Sequence, residues 1–390
     1  MDYSKIRVLY YDTDIIKLDN ILWGLVELGV DVVRSENRVN LQEFNEEQIK
    51  TVSREVKDFD YVLTQNFSVN VAEGAHLAGV RYISWIYDSP QITLYTDHAL
   101  YDTNYVFAFD KKQVKRLRDI GLKHVFYRPL AANTAYISSI KPDKSDSGYN
   151  ADISFIGKLY RVGHIGILNN LSPELRDGIL NKAYSLSLNW GNDKSIFESL
   201  SDEAVDAIEK FIPPEDFKKY HMDKKYSIEV LLMAPMIAQI ERLNLLNLAA
   251  SRYKVSLYTN DDDIPAASVI KGLNIHGPVK GDVPYRIYSN SKLNLNITNR
   301  SIETGAAQRI FDIMGAGGAV ISNWQEELEE LFIPDKEIVL FRSPEEFIDK
   351  ADYYLNNPAE RNKIAQKGHD RVKKDYNYVK SLDYMFKNTL

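Results

Sequence analysis

Short runs of β-branched and aromatic residues alternate with helix-period stretches along almost the whole chain. This is the pattern of parallel α/β units, in which each crossover helix covers the sheet and lets both sheet faces be apolar. In the first part it predicts strands at Ile6–Tyr11, Val30–Val33, Tyr61–Thr64, Tyr82–Ile86, Val106–Phe109 and His124–Tyr127. Leu18, Ile21, Leu22, Leu25, Val26 and Leu28 recur at helical spacing between the first two, and Gly29 is placed to end that helix. Ser138–Asn150 (SSIKPDKSDSGYN) interrupts the pattern with Pro, Gly and Ser and reads as a linker. The pattern then resumes, with strands predicted at Ile153–Ile156, Val255–Tyr258, Leu273–Ile275, Leu293–Ile297, Ala319–Ile321 and Ile338–Phe341. A long helical stretch, Arg161–Tyr253, exceeds what a minimal unit needs, and Glu360–Leu390 is helical and charged. The expectation is an α/β protein of two doubly wound, Rossmann-type domains facing a cleft. They span residues 1–140 and 151–375, with a helical segment in the second and a C-terminal helix, 376–390, packing back on the first.

Composition narrows the function classes. The 48 Lys and Arg against 55 Asp and Glu give a net charge of −7, which argues against nucleic acid as a partner. Cys is absent, which excludes disulfides, thiolate metal sites and a Cys nucleophile. No basic segment leads into an apolar stretch near Met1, so a secretory leader is not expected. The most apolar run, Val230–Ile240, contains Pro235 and falls well short of the roughly 20 residues of a membrane span. A cytoplasmic protein without an integral membrane segment is expected. The 25 Tyr offer flat faces with a hydroxyl that suit sugar or base contacts, although abundant Tyr is more often simply packing.

Ligands of open parallel sheets bind beyond the carboxyl ends of the strands, which nominates four loops. In ISFIGKLYR a strand ends at Gly157, followed by Lys158, Tyr160 and Arg161. Gly permits close backbone approach to an anion and the cations neutralise it; the alternative is a Gly turn with two solvated bases. In Arg300–Asn323, Thr304, Gly305 and Ala306 lead into a helix carrying Gln308, Arg309 and Asp312. Small residues at a helix start leave N–H groups open to phosphate, with Arg309 to hold it and Asp312 to accept from a ribose or sugar hydroxyl. The alternative is an Arg309–Asp312 ion pair on a helix surface. The run Gly315-Ala316-Gly317-Gly318 follows a helix and precedes a strand, the reverse of a dinucleotide fingerprint, and reads as a helix C-cap. That removes the dehydrogenase reading. In YISWIYDSPQ, Asp88 follows a strand as a candidate base, against a plain turn role for Asp-Ser-Pro. The fourth loop holds Asp12-Thr13-Asp14, a short Asp-x-Asp pattern of the kind that binds Mg²⁺. Asp261-Asp262-Asp263 reads as a solvated loop. None of the seven His pairs with another ligand at metal-ligand spacing; His98 stands as an alternative base.

Taken in order, these pieces resemble a family. NLNITNRSIETGAAQRIFDIMGAGGAVISN, followed by PEEFIDKADYYLNNPAERNKIAQKGHDRV, is similar to the C-terminal domain of group-1 glycosyltransferases of the CgeB-like, spore-maturation-protein type. ILWGLVELGVDV, YVLTQNFSVNVAEGAHLAGVRYISWIYDSPQ and FAFDKKQVKRLRDIGLKHVFYRPLAAN resemble the N-terminal domain that accompanies it, and the likeness is weakest between Arg161 and Tyr253. The resemblance implies the GT-B fold, with nucleotide sugar on the second domain, acceptor on the first, and no essential metal. In the wider superfamily an acid on the helix before the Gly-rich turn binds the donor ribose, and Asp312 holds that place. A second acid eight residues upstream contacts the sugar; Thr304 stands there, with Glu303 beside it.

The leading expectation is therefore a metal-independent glycosyltransferase using a nucleotide sugar, UDP-linked, as co-substrate, with no further cofactor. Its acceptor is a glycan, protein or small molecule. The diphosphate would meet Gly157, Lys158, Arg161, Thr304–Ala306 and Arg309; the base and ribose would lie near His276, Gly277, Pro278, Tyr285 and Asp312. Two alternatives stand beside it: a Mg-dependent phosphatase using Asp12 and Asp14, and a non-catalytic two-domain sugar or nucleotide binder.

Overall fold

The computed structural model describes residues 2–13, 20–41, 43–141, 143–160, 165–190, 195–211 and 221–389. The chain forms two compact units: Met1–Ala131 with Glu215–Met222 and Tyr376–Leu390, and Ala132–Pro214 with Asp223–Asp375.

The first unit is built on β1 (Arg7–Tyr11), β2 (Asp31–Arg34), β3 (Tyr61–Gln65), β4 (Arg81–Trp85), β5 (Asn104–Ala108) and β6 (Val125–Tyr127). All pair in parallel in the order β2-β1-β3-β4-β5-β6. The winding direction therefore reverses between β1 and β3. The helices between them are α1 (Asn20–Leu28), α2 (Glu46–Glu55), α3 (Val69–Ala78) and α4 (Lys111–Asp119). Their ends follow local chemistry: Gly29 takes φ +82° after α1, and Asp110 caps α4 through the N–H groups of Lys112 and Gln113.

The second unit opens with α5 (Thr134–Ser139), then β7 (Ile153–Ile156), and continues through α6 (Ile165–Leu168), α7 (Pro173–Ser187), α8 (Asp202–Glu209) and α9 (Lys224–Ile228). A π-helical turn, Glu229–Met233, leads into the long α10 (Ala234–Ala250). There follow β8 (Val255–Tyr258), α11 (Ile264–Ala267), β9 (Leu273–His276), α12 (Val283–Asn290), β10 (Leu293–Asn296) and α13 (Gln308–Gly315). The unit closes with β11 (Val320–Asn323), α14 (Glu326–Leu331), β12 (Val339–Phe341), α15 (Pro344–Asn356) and α16 (Pro358–Asp375). Its parallel sheet runs β12-β11-β10-β7-β8-β9, so the reversal lies between β7 and β10. All twelve predicted strands form. Strands β8, β10, β11 and β12 are buried along their whole length, as sheets covered by helices on both faces require.

The last helix, α17 (Tyr378–Lys387), packs on the first sheet's helical layer. It does so because α1 carries Gly24, where a Cβ would lie 2.8 Å from Leu382 Cδ1 and 3.0 Å from Tyr378 Cβ. Phe386 meets the Tyr61 ring edge-on, and Arg128 Nε donates to Ser381 Oγ at 3.1 Å.

Three expectations need correction. The boundary near residue 140 shifts, because Ala132 and Ile137 pack on Gly315 and so belong with the second unit. The polar stretch after α5 is not merely a linker: Lys144–Tyr149 forms a 3₁₀ turn against α12, with Arg286 3.3 Å from Asp146 and 3.8 Å from Asp143. Nor is Asp261-Asp262-Asp263 wholly solvated. Asp263 is buried, and its Oδ2 accepts from Leu159 N at 2.6 Å and from Thr259 Oγ1 at 3.2 Å, joining the loops after β7 and β8. A run of acids hides this in sequence because only the third reaches inward.

Candidate active site

At the winding reversal of the second sheet, between β7 and β10, the structure brings together two of the predicted donor-site residues, Gly157 and Arg309. β7 and β10 are stitched by Ser154 Oγ donating to Asn294 Oδ1 at 2.7 Å. Two residues further along β10, the buried Asn296 donates to Thr298 Oγ1 and Ser322 Oγ, both at 2.9 Å. Its Oδ1 accepts from Arg309 Nη1 at 2.7 Å. The Arg309 guanidinium lies 5.1 Å from the centre of the Phe155 ring and against the backbone of Gly157, where a Cβ would come within 2.6 Å of Nη2. A side chain at 157 would displace the cation, which is the physical reason for glycine there.

Arg309 does not form the surface ion pair with Asp312 weighed above. It reaches Asn296, while Asp312 Oδ1 accepts from Gln308 Nε2 at 2.9 Å on the same helix. Burial pushes the Asp312 carboxyl up to about 7, although Gln308 and Arg309 pull the other way. Burial and the neighbouring Arg242 both work against the charge on Arg309. Helix α13 begins after Ala307, which offers no side-chain cap, and the loop residues Thr304, Gly305 and Ala306 are buried beside it. Thr304 is held by a carboxylate the sequence did not nominate: its Oγ1 donates to Glu327 Oε1 at 2.7 Å, and Glu327 N donates to Thr304 O at 3.1 Å. Glu303 is half-buried in the same loop. Gly317 takes φ +74° as the predicted cap of α13.

Lys158 is exposed on the loop after β7, and Arg161 lies outside the described residues. At the end of the edge strand β9 the His276 ring stacks on Tyr258, with centroids 4.5 Å apart and planes at 13°. Partial burial lowers the His276 pKa, so the ring is neutral at pH 7. Gly277 faces Asp261, whose Oδ1 is 3.6 Å from where a Cβ would sit, and Pro278 is exposed. Tyr285 turns elsewhere: it meets Tyr136 and lines a hollow of about 340 Å³ with Ile137, Ser138, Arg286 and Ala316. α12 thus presents it toward α5.

In the first unit Asp88 stands exposed just beyond β4. Its Oδ2 accepts from Asn66 Nδ2 at 2.8 Å, while Asn66 Oδ1 accepts from Tyr87 N at 2.7 Å. Asn66 itself adopts φ +60°, an uncommon conformation that Asn tolerates. His98 draws on other neighbours: its Nε2 is 3.8 Å from Glu73 Oε2 on α3, and Phe44 and Tyr101 flank the ring. Asp12 forms an ion pair with Arg34, and Thr13 Oγ1 donates to Gln65 O at 3.1 Å; Asp14 lies outside the described residues. Among the described residues no group of three acids or His could hold a metal ion. No described helix is long and apolar enough to cross a membrane.

Sequence reasoning missed Arg242, Glu241 and Arg300. Glu241 and Arg300 pair in the interior, with Arg300 Nε 2.9 Å from Glu241 Oε1 and Arg300 Nη2 2.6 Å from Asn189 O. Adjacent charges inside the apolar run of α10 were the available signal, since such charges are rarely buried unless paired.

This geometry defines a class. The chain superposes on Anabaena HepE in complex with UDP-glucose at 12% identity and TM-score 0.54, covering 98% of each chain. It matches a glycosyltransferase from Rickettsia africae at 13% identity and TM-score 0.56, over 99% of this chain and 98% of the other. T4 phage BGT in complex with its UDP-glucose substrate follows at 11% and 0.51, over 98% and 99%. The fold is GT-B: two Rossmann-like domains of parallel sheet and helix. Residues 236–387, from α10 through α17, match the family described as "Glycosyl transferase-like". No curated protein matches the sequence.

Proposed function

We propose that this protein is a glycosyltransferase of the group-1 type that moves a sugar from a nucleotide sugar, UDP-linked, to a glycan, protein or small-molecule acceptor. The observation that carries the reading is Arg309. A guanidinium hydrogen-bonded to the neutral Asn296 stands beside Gly157 at the winding reversal, next to a helix start with no side-chain cap. Open α/β sheets bind ligands at that position, and an arginine there is suited to a phosphate. The family match over residues 236–387 and the fold shared with the UDP-glucose complexes support it.

In this reading Arg309, Lys158 and the backbone of Thr304–Ala306 hold the diphosphate, with Arg161 as a further cation. Fixed donors and cations take over the charge stabilisation that a divalent ion supplies elsewhere, so no metal or cofactor is required. Asp312 accepts from the ribose, Glu303 and Thr304 face the sugar, and His276, Gly277 and Pro278 border the base. Asp88 takes the acceptor's hydroxyl proton as its oxygen bonds the anomeric carbon. The anomeric C–O bond to phosphate breaks, and UDP leaves with its new charge on Arg309. The CgeB-like subtype and a cytoplasmic site of action belong to the same proposal.

Melting curves with UDP, each taken in EDTA and in Mg²⁺, test it, because a ligand that binds only the native state raises the melting temperature. Stabilisation by UDP in EDTA is expected, together with sugar transfer or hydrolysis from UDP-glucose or a related donor. Stabilisation confined to Mg²⁺ would overturn the metal-free part. Binding without any turnover across donor sugars would favour a non-catalytic binder.

A further inference from the structure

Arg242 lies on α10, the helix that leads into β8 and packs on the core of the second sheet. Its side chain is 3% exposed. Nη1 donates to Lys158 O, in the loop after β7, and Nη2 donates to Ile297 O at 2.6 Å, just past β10. Its Nε is buried and has no hydrogen-bond partner. The guanidinium sits 4.8 Å from the Tyr160 ring centre and 5.4 Å from that of Phe155, the ring that Arg309 also faces.

Neither guanidinium forms an ion pair among the described residues. The neighbouring acid on α10, Glu241, is engaged by Arg300. Two cations thus share one phenyl ring with carbonyl and amide oxygens as partners, and burial together with Arg242 works against the charge on Arg309. A buried charge without a counter-charge is costly unless something completes it. The segment it clamps includes Tyr160 at φ +62°, a backbone conformation uncommon for a side chain of that size and held here by the surrounding contacts. The pull of Arg242, Asn299, Arg309 and Lys158 on the Tyr160 hydroxyl outweighs its burial and lowers its pKa, which registers the same positive field.

We propose that Arg242 is a positioning residue of the anion site, clamping the 157–160 loop to the end of β10 and supplying, beside Arg309, positive charge that a bound diphosphate neutralises. This rests on the nucleotide-diphosphate reading above. Arg242 acts through the loop and through its field, so its removal is felt by the diphosphate and little by the nucleoside.

Calorimetric titration of UDP, uridine and inorganic pyrophosphate into wild type, Arg242→Gln and Arg242→Lys tests this. The Gln variant should lose at least about tenfold in UDP and pyrophosphate affinity while uridine affinity stays within about twofold, the size of effect expected when a charged partner of phosphate is removed. The Lys variant should recover most of the loss. With the donor sugar as the varied substrate, its KM should rise more than kcat falls. Equal loss of UDP and uridine, unchanged UDP binding, or a Lys variant as weak as Gln would each overturn the proposal. Should Arg242→Gln not fold, hydrogen exchange on the wild type decides. UDP but not uridine should protect the amides of residues 155–160, and protection by neither, or by both alike, overturns it. A wild type that binds no nucleoside diphosphate sinks the proposed function as well. A wild type that binds UDP with an indifferent Arg242 sinks only this inference.

Discussion

With Asp312 assigned to the donor ribose, as proposed above, donor binding is expected to depend on pH in a way that separates ribose recognition from phosphate recognition. Burial raises its pKa to about 7, so the empty site is only about one-tenth ionised at pH 6 and about nine-tenths at pH 8. Ribose hydroxyls are donors, and a carboxylate accepts both in the stronger, charge-assisted form. Binding therefore selects the ionised state. Uridine, which carries no phosphate to titrate, should bind about tenfold more tightly at pH 8 than at pH 6, a difference of about 1.4 kcal/mol. At pH 7 binding should release about half a proton, measurable by calorimetry in buffers of different ionisation enthalpy. Asp312→Asn should bind weakly and lose both the pH slope and the proton release. A flat profile in the wild type, or the same slope in the Asn variant, would refute the assignment of Asp312 to the ribose. The same shift acts on folding. The native state holds this proton between about pH 4 and pH 7 where the unfolded chain has lost it, so this group's contribution to stability falls as the pH rises through that window. Asp312→Asn should remove that part of the slope.

Gly157→Ala should still fold, with a lowered melting temperature, because a buried hydrogen-bonded guanidinium is displaced. Its new methyl would sit 2.6 Å from Arg309 Nη2 and push the guanidinium off Asn296, so UDP affinity should fall about tenfold or more; unchanged affinity by titration would remove Arg309 from the phosphate site. Asp88→Asn keeps the size of the side chain and removes its basicity. Steady-state turnover should drop roughly a hundredfold with donor affinity nearly unchanged, and near-normal turnover would leave Asp88 a turn residue held by Asn66. Gly24→Ala should destabilise the first unit by about 1–3 kcal/mol, because its methyl would overlap Leu382 and Tyr378. Denaturant titration checks this, and a neutral result would mean that α17 shifts to accommodate the methyl.

Periodicity alone located all twelve strands, because a buried parallel strand must be a short apolar run and each crossover helix must present one apolar stripe. The glycine after β7 was legible as a place of close approach, and the structure sets the Arg309 guanidinium against it. The site's wiring was not. Asn296 looks like one more polar residue at the end of LNLN until β10 lies beside β7 and Arg309 reaches it. Glu327 is a single acid among several on α14, and only the fold brings it 2.7 Å from Thr304. Arg242 stands 84 positions from the Lys158 carbonyl it clamps, a separation that local pattern cannot bridge. Sequence carries the spacing of apolar residues, which is a local property of helix and strand geometry. Which buried charge meets which backbone carbonyl depends on long-range packing of layers, and that was decided only when the second sheet closed around its winding reversal.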